Sequence, residues 1–259
     1  MKLERTIIVF AAAIVAGAIN SIAGGGTLVS LPALIWAGLD PIVANATNTV
    51  AISPGALAAM FGLRNRLRGA MRPALILTVP SLMGAITGAV ALMVTPSRIF
   101  AQLAPYLILA ATALFASQEL LTRAVPARAS LINEQAAEKV SLRWWRAAIA
   151  FQFLVAVYGG YFGGGMGILI IAELGMLGFT DIHQVIGVRS FLGSCVNGIA
   201  SVLFIAHGLV SWRPAAIMTV GQILGGYGGA TVAAKLDPKV VRGAVIATGI
   251  AMAAALAFN

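Results

Sequence analysis

The chain has 259 residues, of which 60% are hydrophobic and only 10% are charged. This composition excludes an ordinary soluble domain, in which about a quarter of the residues carry a charge, and it indicates a multi-pass membrane protein. The formal net charge is +9, but nearly all lysines and arginines fall between apolar segments, which favours membrane topology signals over nucleic-acid binding. A single cysteine excludes an internal disulfide, and two distant histidines predict neither a metal site nor a cofactor.

The first predicted membrane element is interrupted by glycine. An apolar segment from Thr6 to Ile22 runs into Gly24, Gly25 and Gly26, and a second apolar segment, Thr27 to Leu39, follows without a charge. At the helical rise per residue the second segment is only ~18 Å long, whereas a bilayer core is ~30 Å thick. We therefore predict a helix that is broken near the middle of the membrane.

Such a break has a chemical consequence. Unwound backbone N–H groups in hydrocarbon cost several kcal/mol each unless protein, water or a ligand accepts their hydrogen bonds. Three glycines let the backbone curl into a nest of donors, and the helix that starts at Thr27 directs its positive dipole end to the same place. The pattern predicts an anion site at the glycines and Thr27. The alternative is that glycine only lets two helices pack closely.

The next elements continue the first half. Asp40 and Pro41 predict a helix start, as N-cap and first helical residue. The helix that follows begins with three polar residues that we predict to bind the same anion: Asn45, Thr47 and Asn48. In chain order the predicted spans of this half are 42–63, 73–94 and 97–121.

A polar, charged stretch at residues 122–142 is predicted to be a cytoplasmic linker. It separates an N-terminal transmembrane half, residues 1–121, from a C-terminal transmembrane half, residues 143–259. The second half repeats the plan of the first, and its predicted segments are 144–161, 166–177, 182–206, 214–234 and 238–258.

The repeat is visible in matched residues. Gly163, Gly164 and Gly165 lie 139 positions after the first glycine run, again within an apolar stretch. Further matches at an offset of 141 positions are Ser53 with Ser194 and Gly84 with Gly225. Internal repeats built around broken helices are typical of secondary transporters, and the paired breaks indicate where the substrate binds. We therefore predict an all-α polytopic membrane protein of two homologous halves, each with a glycine-broken first element.

Two topologies fit the charge distribution. If each broken element crosses once, the chain makes eight crossings with both termini inside; if its two pieces form a hairpin of two passes, both termini lie outside. Each version places twelve Lys/Arg inside and four outside, so the positive-inside rule does not choose between them. The hairpin version makes the halves an inverted repeat, the commoner transporter design, and we favour it.

One basic residue, Arg189, lies inside a predicted span, followed by Ser190. A charge within the membrane is expensive and indicates function. Arg189 is offset by 141 positions from Asn48, so the repeat places both at equivalent positions. A planar guanidinium with nearby amide and hydroxyl donors suits an oxyanion. The alternatives are that Arg189 extends to the membrane interface or pairs with an acid.

Glu173 is the only acid well inside a span. Three roles stay open for it from the sequence: pairing with Arg189, carrying a coupling proton, or reaching the interface.

The glycine run with its flanking residues 20–32, the Ala-Asn-Ala-Thr-Asn run at 44–48 and the second glycine run resemble the sulfite exporter TauE/SafE family of bacterial membrane permeases. The resemblance covers almost the whole chain and implies a sulfite-like or organosulfonate substrate. Residues 187–190 depart from the family pattern, in which a small hydroxyl motif is expected, so Arg189 marks a particular substrate.

The first functional interpretation is an exporter of a small sulfur oxyanion or organosulfonate in the bacterial inner membrane. Alternatives are proton-coupled uptake of the same anions and an anion channel. An enzyme is not predicted, because no nucleophile–base pair lies within the spans. The expected partners are the anion and the lipid bilayer, and no nucleic acid is expected. Whether the protein forms a homo-oligomer is left open by the sequence.

Overall fold

The computed structural model describes residues 3–22, 25–62, 70–124, 142–179, 181–233 and 238–257. These residues form helices and no strand, which confirms the all-α prediction. The ten helices of this part of the chain are α1 (Leu3–Ile22), α2 (Thr27–Trp36), α3 (Pro41–Gly62), α4 (Met71–Val94), α5 (Ser97–Ala124), α6 (Leu142–Tyr161), α7 (Met166–Met176), α8 (Ile182–Ala206), α9 (Trp212–Ala233) and α10 (Pro238–Ala257).

Helix length and composition agree with a membrane protein. Four helices contain stretches long and apolar enough to cross a bilayer: Leu3–Asn20, Met71–Val94, Ser97–Ser117 and Gln184–Ala206. By contrast α2 and α7 are apolar but have only 10 and 11 residues, so each is ~15 Å long and covers about half of a bilayer core. The same order of one long, one short and three long helices occurs on both sides of residues 125–141.

The two halves exchange packing partners. Helix α1 packs along α9, and α6 packs along α4. Gly84 lies so close to the carbonyl oxygen of Phe153 that an added methyl group would overlap it, and Gly225 has the same relation to Ile14. The glycines that match in the sequence thus make matching contacts, because only a residue without a side chain allows the two backbones to approach this closely.

Helices α3 and α8 cross in opposite directions. The Ser53 hydroxyl is 2.7 Å from that of Ser201 and donates to the carbonyl of Asn197 at 3.4 Å. Ser194 in turn donates to the carbonyl of Ala56 at 2.9 Å. Residue numbers therefore rise along one helix as they fall along the other. The contacts are also reciprocal. Ser53 matches Ser194 and Ala56 matches Asn197, each at an offset of 141 positions, and each serine donates to the carbonyl of the other helix's matching residue.

Helices α1 and α2 form a hairpin. A methyl group on Gly26 would overlap the carbonyl oxygen of Ala16, well before the end of α1. At the other end, the Arg5 guanidinium donates to the carbonyl of Ala37 at 3.1 Å. The start of α1 therefore lies beside the end of α2. This arrangement does not fit the version in which the first broken element crosses the membrane once.

Helix α3 begins as its sequence predicts. The Asp40 carboxylate accepts the amide N–H of Ile42 at 3.0 Å, and Pro41 is the first helical residue. Asp40 thus satisfies one of the N–H groups that have no partner at a helix start. The prediction of an N-cap at this position is confirmed.

Candidate functional site

The first break, between α1 and α2, is lined by neutral polar groups that satisfy one another. The Gly26 amide donates to the Asn20 side-chain oxygen at 3.3 Å. The Ser30 hydroxyl lies 2.7 Å from Oδ1 of Asn48 and 3.1 Å from the Gly26 carbonyl oxygen. Gly25 and Thr27 are buried beside them. Gly24 lies outside the described residues.

The second break, between α6 and α7, has a different backbone. Gly163 and Gly165 have φ angles of +81° and +79°, in the left-handed region that residues with a side chain rarely adopt. Gly165 is the N-cap of α7, and no side chain caps that helix. The Gly164 carbonyl accepts the Tyr158 hydroxyl. The amide end of α7 is therefore not covered by a side-chain acceptor.

Arg189 lies against the first turn of α7. A Cβ atom added to Gly167, in the first turn of α7, would lie 2.5 Å from Nε and 3.1 Å from Cζ of Arg189. The side chain is half-buried, and no hydrogen bond or ion pair joins it to another described residue. Helix N-termini carry a partial positive charge. A guanidinium cation and the positive end of a helix repel each other. An anion bound between them attracts both and offsets that repulsion.

Both breaks contact the same helix. Gly25 packs against the Phe115 ring, and Gly165 packs against Ala111. Phe115 and Ala111 are four residues apart on α5, about 6 Å along its axis. The breaks therefore lie within roughly one helical turn of each other in depth, as expected if they serve one site.

The polar residues at the start of α3 do not all converge. Asn45 donates to the carbonyl of Tyr161, the last residue of α6, at 2.9 Å, so it reaches the second break rather than the first. Thr47 accepts the amide of Ser211 at the start of α9, at 3.0 Å. Thr47 thus faces another side of α3, because each residue turns the helix by about 100°. That Asn45, Thr47 and Asn48 bind the anion together stays a prediction.

The hydrogen bond found for Ser190 does not involve the second break. Its carbonyl accepts the Ser194 hydroxyl at 2.7 Å, within α8. No hydrogen bond joins its side chain to either break among the described residues. Its role in binding therefore stays a prediction from its place beside Arg189.

Glu173 does not pair with Arg189. Its side chain is 1% exposed, and neither carboxylate oxygen has a hydrogen-bond partner among the described residues. Six residues separate Glu173 from Gly167, which is about 9 Å along α7 and a different side of that helix. The structure therefore shows no ion pair between Glu173 and Arg189 and no exposed carboxylate, and the role of Glu173 stays a prediction.

Two contributors to the breaks were missed from the sequence. Ser30 links Asn48 to the first break, and Gly167 provides the surface on which Arg189 lies. Both occupy the first turn after a glycine run, which is the signal that identifies them. No group of three His, Cys, Asp or Glu residues that could hold a metal occurs in the described part of the chain.

Comparison with known proteins identifies relatives. The family model described as Sulfite exporter TauE/SafE matches residues 9–256. A "Probable membrane transporter protein" of Haemophilus influenzae is 28% identical and aligns with 97% of this chain and 94% of its own length. "Probable membrane transporter protein YfcA" of Escherichia coli K12 is 26% identical over 97% of this chain and 89% of its own. No solved structure matches the chain.

Proposed function

Because the chain belongs to the sulfite exporter TauE/SafE family, we propose that it is a secondary transporter that exports a small sulfur oxyanion or organosulfonate. Its relatives are named as membrane transporters, which supports membrane transport rather than enzymatic catalysis. The observation that carries the choice of an anion is the contact between Arg189 and the uncapped first turn of α7.

An oxyanion fits this place for two reasons. The guanidinium offers planar, paired donors that match two oxygens of a sulfonate or sulfite group. The amide end of α7 adds a favourable dipole on the other side of the anion. Charge-assisted hydrogen bonds contribute about 1.5–3 kcal/mol each. This energy favours an anion over a neutral ligand and offsets part of the free energy lost when the anion leaves water. The glycines of both breaks keep bulky groups away from it.

The proposed mechanism is alternating access between two inverted halves. Support comes from the antiparallel crossing of α3 and α8, because a two-fold axis along the membrane normal would make those helices parallel. The exchanged packing of α1 with α9 and of α6 with α4 supports the same symmetry. In inverted-repeat transporters, one bundle rocks against the other around a fixed site near the midplane.

Energetics favour export across a bacterial inner membrane. An interior-negative potential of 100 mV supplies about 2.3 kcal/mol for each negative charge moved outward. Proton-coupled uptake is the second candidate, and the buried Glu173 is the observation that supports it. A channel is the third, and it differs in kinetics: a carrier saturates and shows counterflow, whereas a channel shows no counterflow.

The first test is a thermal-shift titration of the purified protein in detergent with sulfite, sulfoacetate, taurine, thiosulfate and sulfate. Chloride at matched ionic strength is the control for general salt effects. A ligand that binds only the folded state raises the melting temperature in proportion to its occupancy. We expect at least one sulfur anion to stabilise the protein beyond chloride. Equal shifts with all anions would contradict a specific site.

A further inference from the structure

Glu173 is the one acidic side chain of α7, and it is buried, with no described residue donating a hydrogen bond to its oxygens. Three residues that lie within about one turn of it along α7 and its C-cap, Ile170, Leu174 and Leu177, belong to a buried apolar cluster. An ionised carboxylate in such surroundings loses its hydration and gains nothing in return. A proton on the carboxyl group removes that charge.

The helices packed against α7 are α5, α6 and α8. None of their described ionisable groups hydrogen-bonds or ion-pairs with Glu173. Arg98, Tyr106 and Arg146 are exposed. Tyr158 donates to the Gly164 carbonyl. The other ionisable groups on these helices whose side chains the structure describes are Tyr161, Arg189 and Cys195, and of these three only Arg189 is charged at neutral pH. The side chains of Glu119, Arg123, Arg143 and His183 lie outside that description.

We propose that Glu173 binds a proton whose occupancy rises when an anion occupies the site at Arg189, so that the protein carries the anion together with a proton. This inference rests on the proposed anion site. The anion at Gly167 lies about 10 Å from the Glu173 carboxyl group, judged from the 1.5 Å rise along α7. The two negative charges repel at that distance, and protonation of Glu173 removes the repulsion.

The size of the coupling follows from Coulomb's law. At an effective dielectric constant of ~20, two unit charges about 10 Å apart change each other's binding constant roughly fifteenfold. Coupling is reciprocal, so the anion strengthens proton binding by the same factor by which the proton strengthens anion binding. A dianion carried with one proton still moves one negative charge, and the membrane potential still favours its exit.

The test measures proton uptake on anion binding in a weakly buffered detergent solution with a pH-indicator dye. Sulfoacetate and thiosulfate are the probes, because both keep their charge across the near-neutral range. The matched variants are Glu173→Gln, which fixes the neutral state, and Glu4→Gln, which makes the same change at an exposed position. We expect uptake of up to one proton per anion by the wild type and Glu4→Gln, and none by Glu173→Gln.

Affinity gives the second readout. The wild type should bind sulfoacetate at least about tenfold more weakly above its proton-binding range than below it, whereas Glu173→Gln should show no pH dependence. If the wild type binds an anion but takes up no proton over the whole pH range in which it stays folded, the role of Glu173 is refuted and the anion site is not. This outcome needs only the wild type, so it holds even if the glutamine variant does not fold. Absence of binding by both anions would contradict the proposed function, and this inference with it.

Discussion

The two glycine breaks have the same construction and different chemistry. At the first, Ser30, Asn48 and Gly26 are neutral and satisfy one another at 2.7–3.1 Å. At the second, Arg189 lies beside an uncapped helix end and has no described partner. Two breaks of similar backbone order thus differ in their side chains: at one the neutral polar groups bond one another, and at the other a charged group has no described partner.

The two breaks are related by inversion only if the two halves have opposite orientations in the membrane. The side of the membrane on which the C-terminus lies tests this and gives the largest expected effect. We expect the C-terminal residue, Asn259, to lie in the periplasm, because the hairpin version gives five passes, an odd number, between the cytoplasmic linker and the C-terminus. A C-terminal green fluorescent protein fusion should be dark and an alkaline phosphatase fusion active. A bright fluorescent fusion would make the two breaks unrelated by inversion.

The linker provides the matching control for that experiment. Ser130→Cys in a Cys195→Ser background should resist an impermeant thiol reagent in intact cells and react after lysis. Ready labelling from outside would reverse the orientation of the whole chain.

The difference in charge predicts a large loss when the second break is neutralised. Arg189→Ala should raise the dissociation constant of the anion by a factor of roughly 10 to 150, the range for a lost charge-assisted hydrogen bond. Arg189→Lys should restore only part, because an ammonium group lacks the planar fork. The measurement is anion titration of protein checked by size exclusion, with Arg98→Ala, an exposed arginine, as the control. Unchanged affinity in folded Arg189→Ala would refute the assignment.

Moving the arginine without removing it should have an intermediate effect. In Gly167→Ala the new methyl group meets the guanidinium at 2.5 Å, so Arg189 leaves the first turn of α7 and affinity falls about tenfold. Gly198→Ala on α8 is the matched control, because nothing lies within 4 Å of its added methyl group. If both variants bind equally well, the position of the guanidinium does not matter.

The first break should respond least. Asn48→Ala removes the partner of the Ser30 hydroxyl, a neutral hydrogen bond, and should weaken anion binding only about two- to fivefold. Ser30→Ala should have a similar effect, and the double variant should be no worse, because both changes remove the same bond. A loss as large as that of Arg189→Ala would mean that the breaks share the anion equally.

Much of the fold could be predicted from the sequence. Asp40 and Pro41 predicted the start of α3, and the composition and charge indicated an all-helical membrane protein. The glycine runs fall between α1 and α2 and between α6 and α7. The direction of α2 could not be fixed, because loop charges are equal in both topologies. It depends on the contact between Arg5 and Ala37, which no local pattern encodes.

The candidate site was predicted less completely. Asn45, Thr47 and Asn48 are close in sequence but span most of a helical turn, so their side chains reach three different places. The structure shows no ion pair between Glu173 and Arg189, because the register between α7 and α8 is set by packing. That register places Arg189 at Gly167, about 1.7 turns from the acid.

The exchange of packing partners between the halves also sets the order of assembly during synthesis. Helix α1 leaves the ribosome first, yet its partner α9 starts only at Trp212. Helix α4 likewise has no partner until α6 has been made. A nascent chain that ends after α5 therefore carries two helices whose small-residue faces meet lipid or the insertion machinery. The N-terminal half is thus a substrate for membrane quality control until the second half arrives, and neither half expressed alone should accumulate.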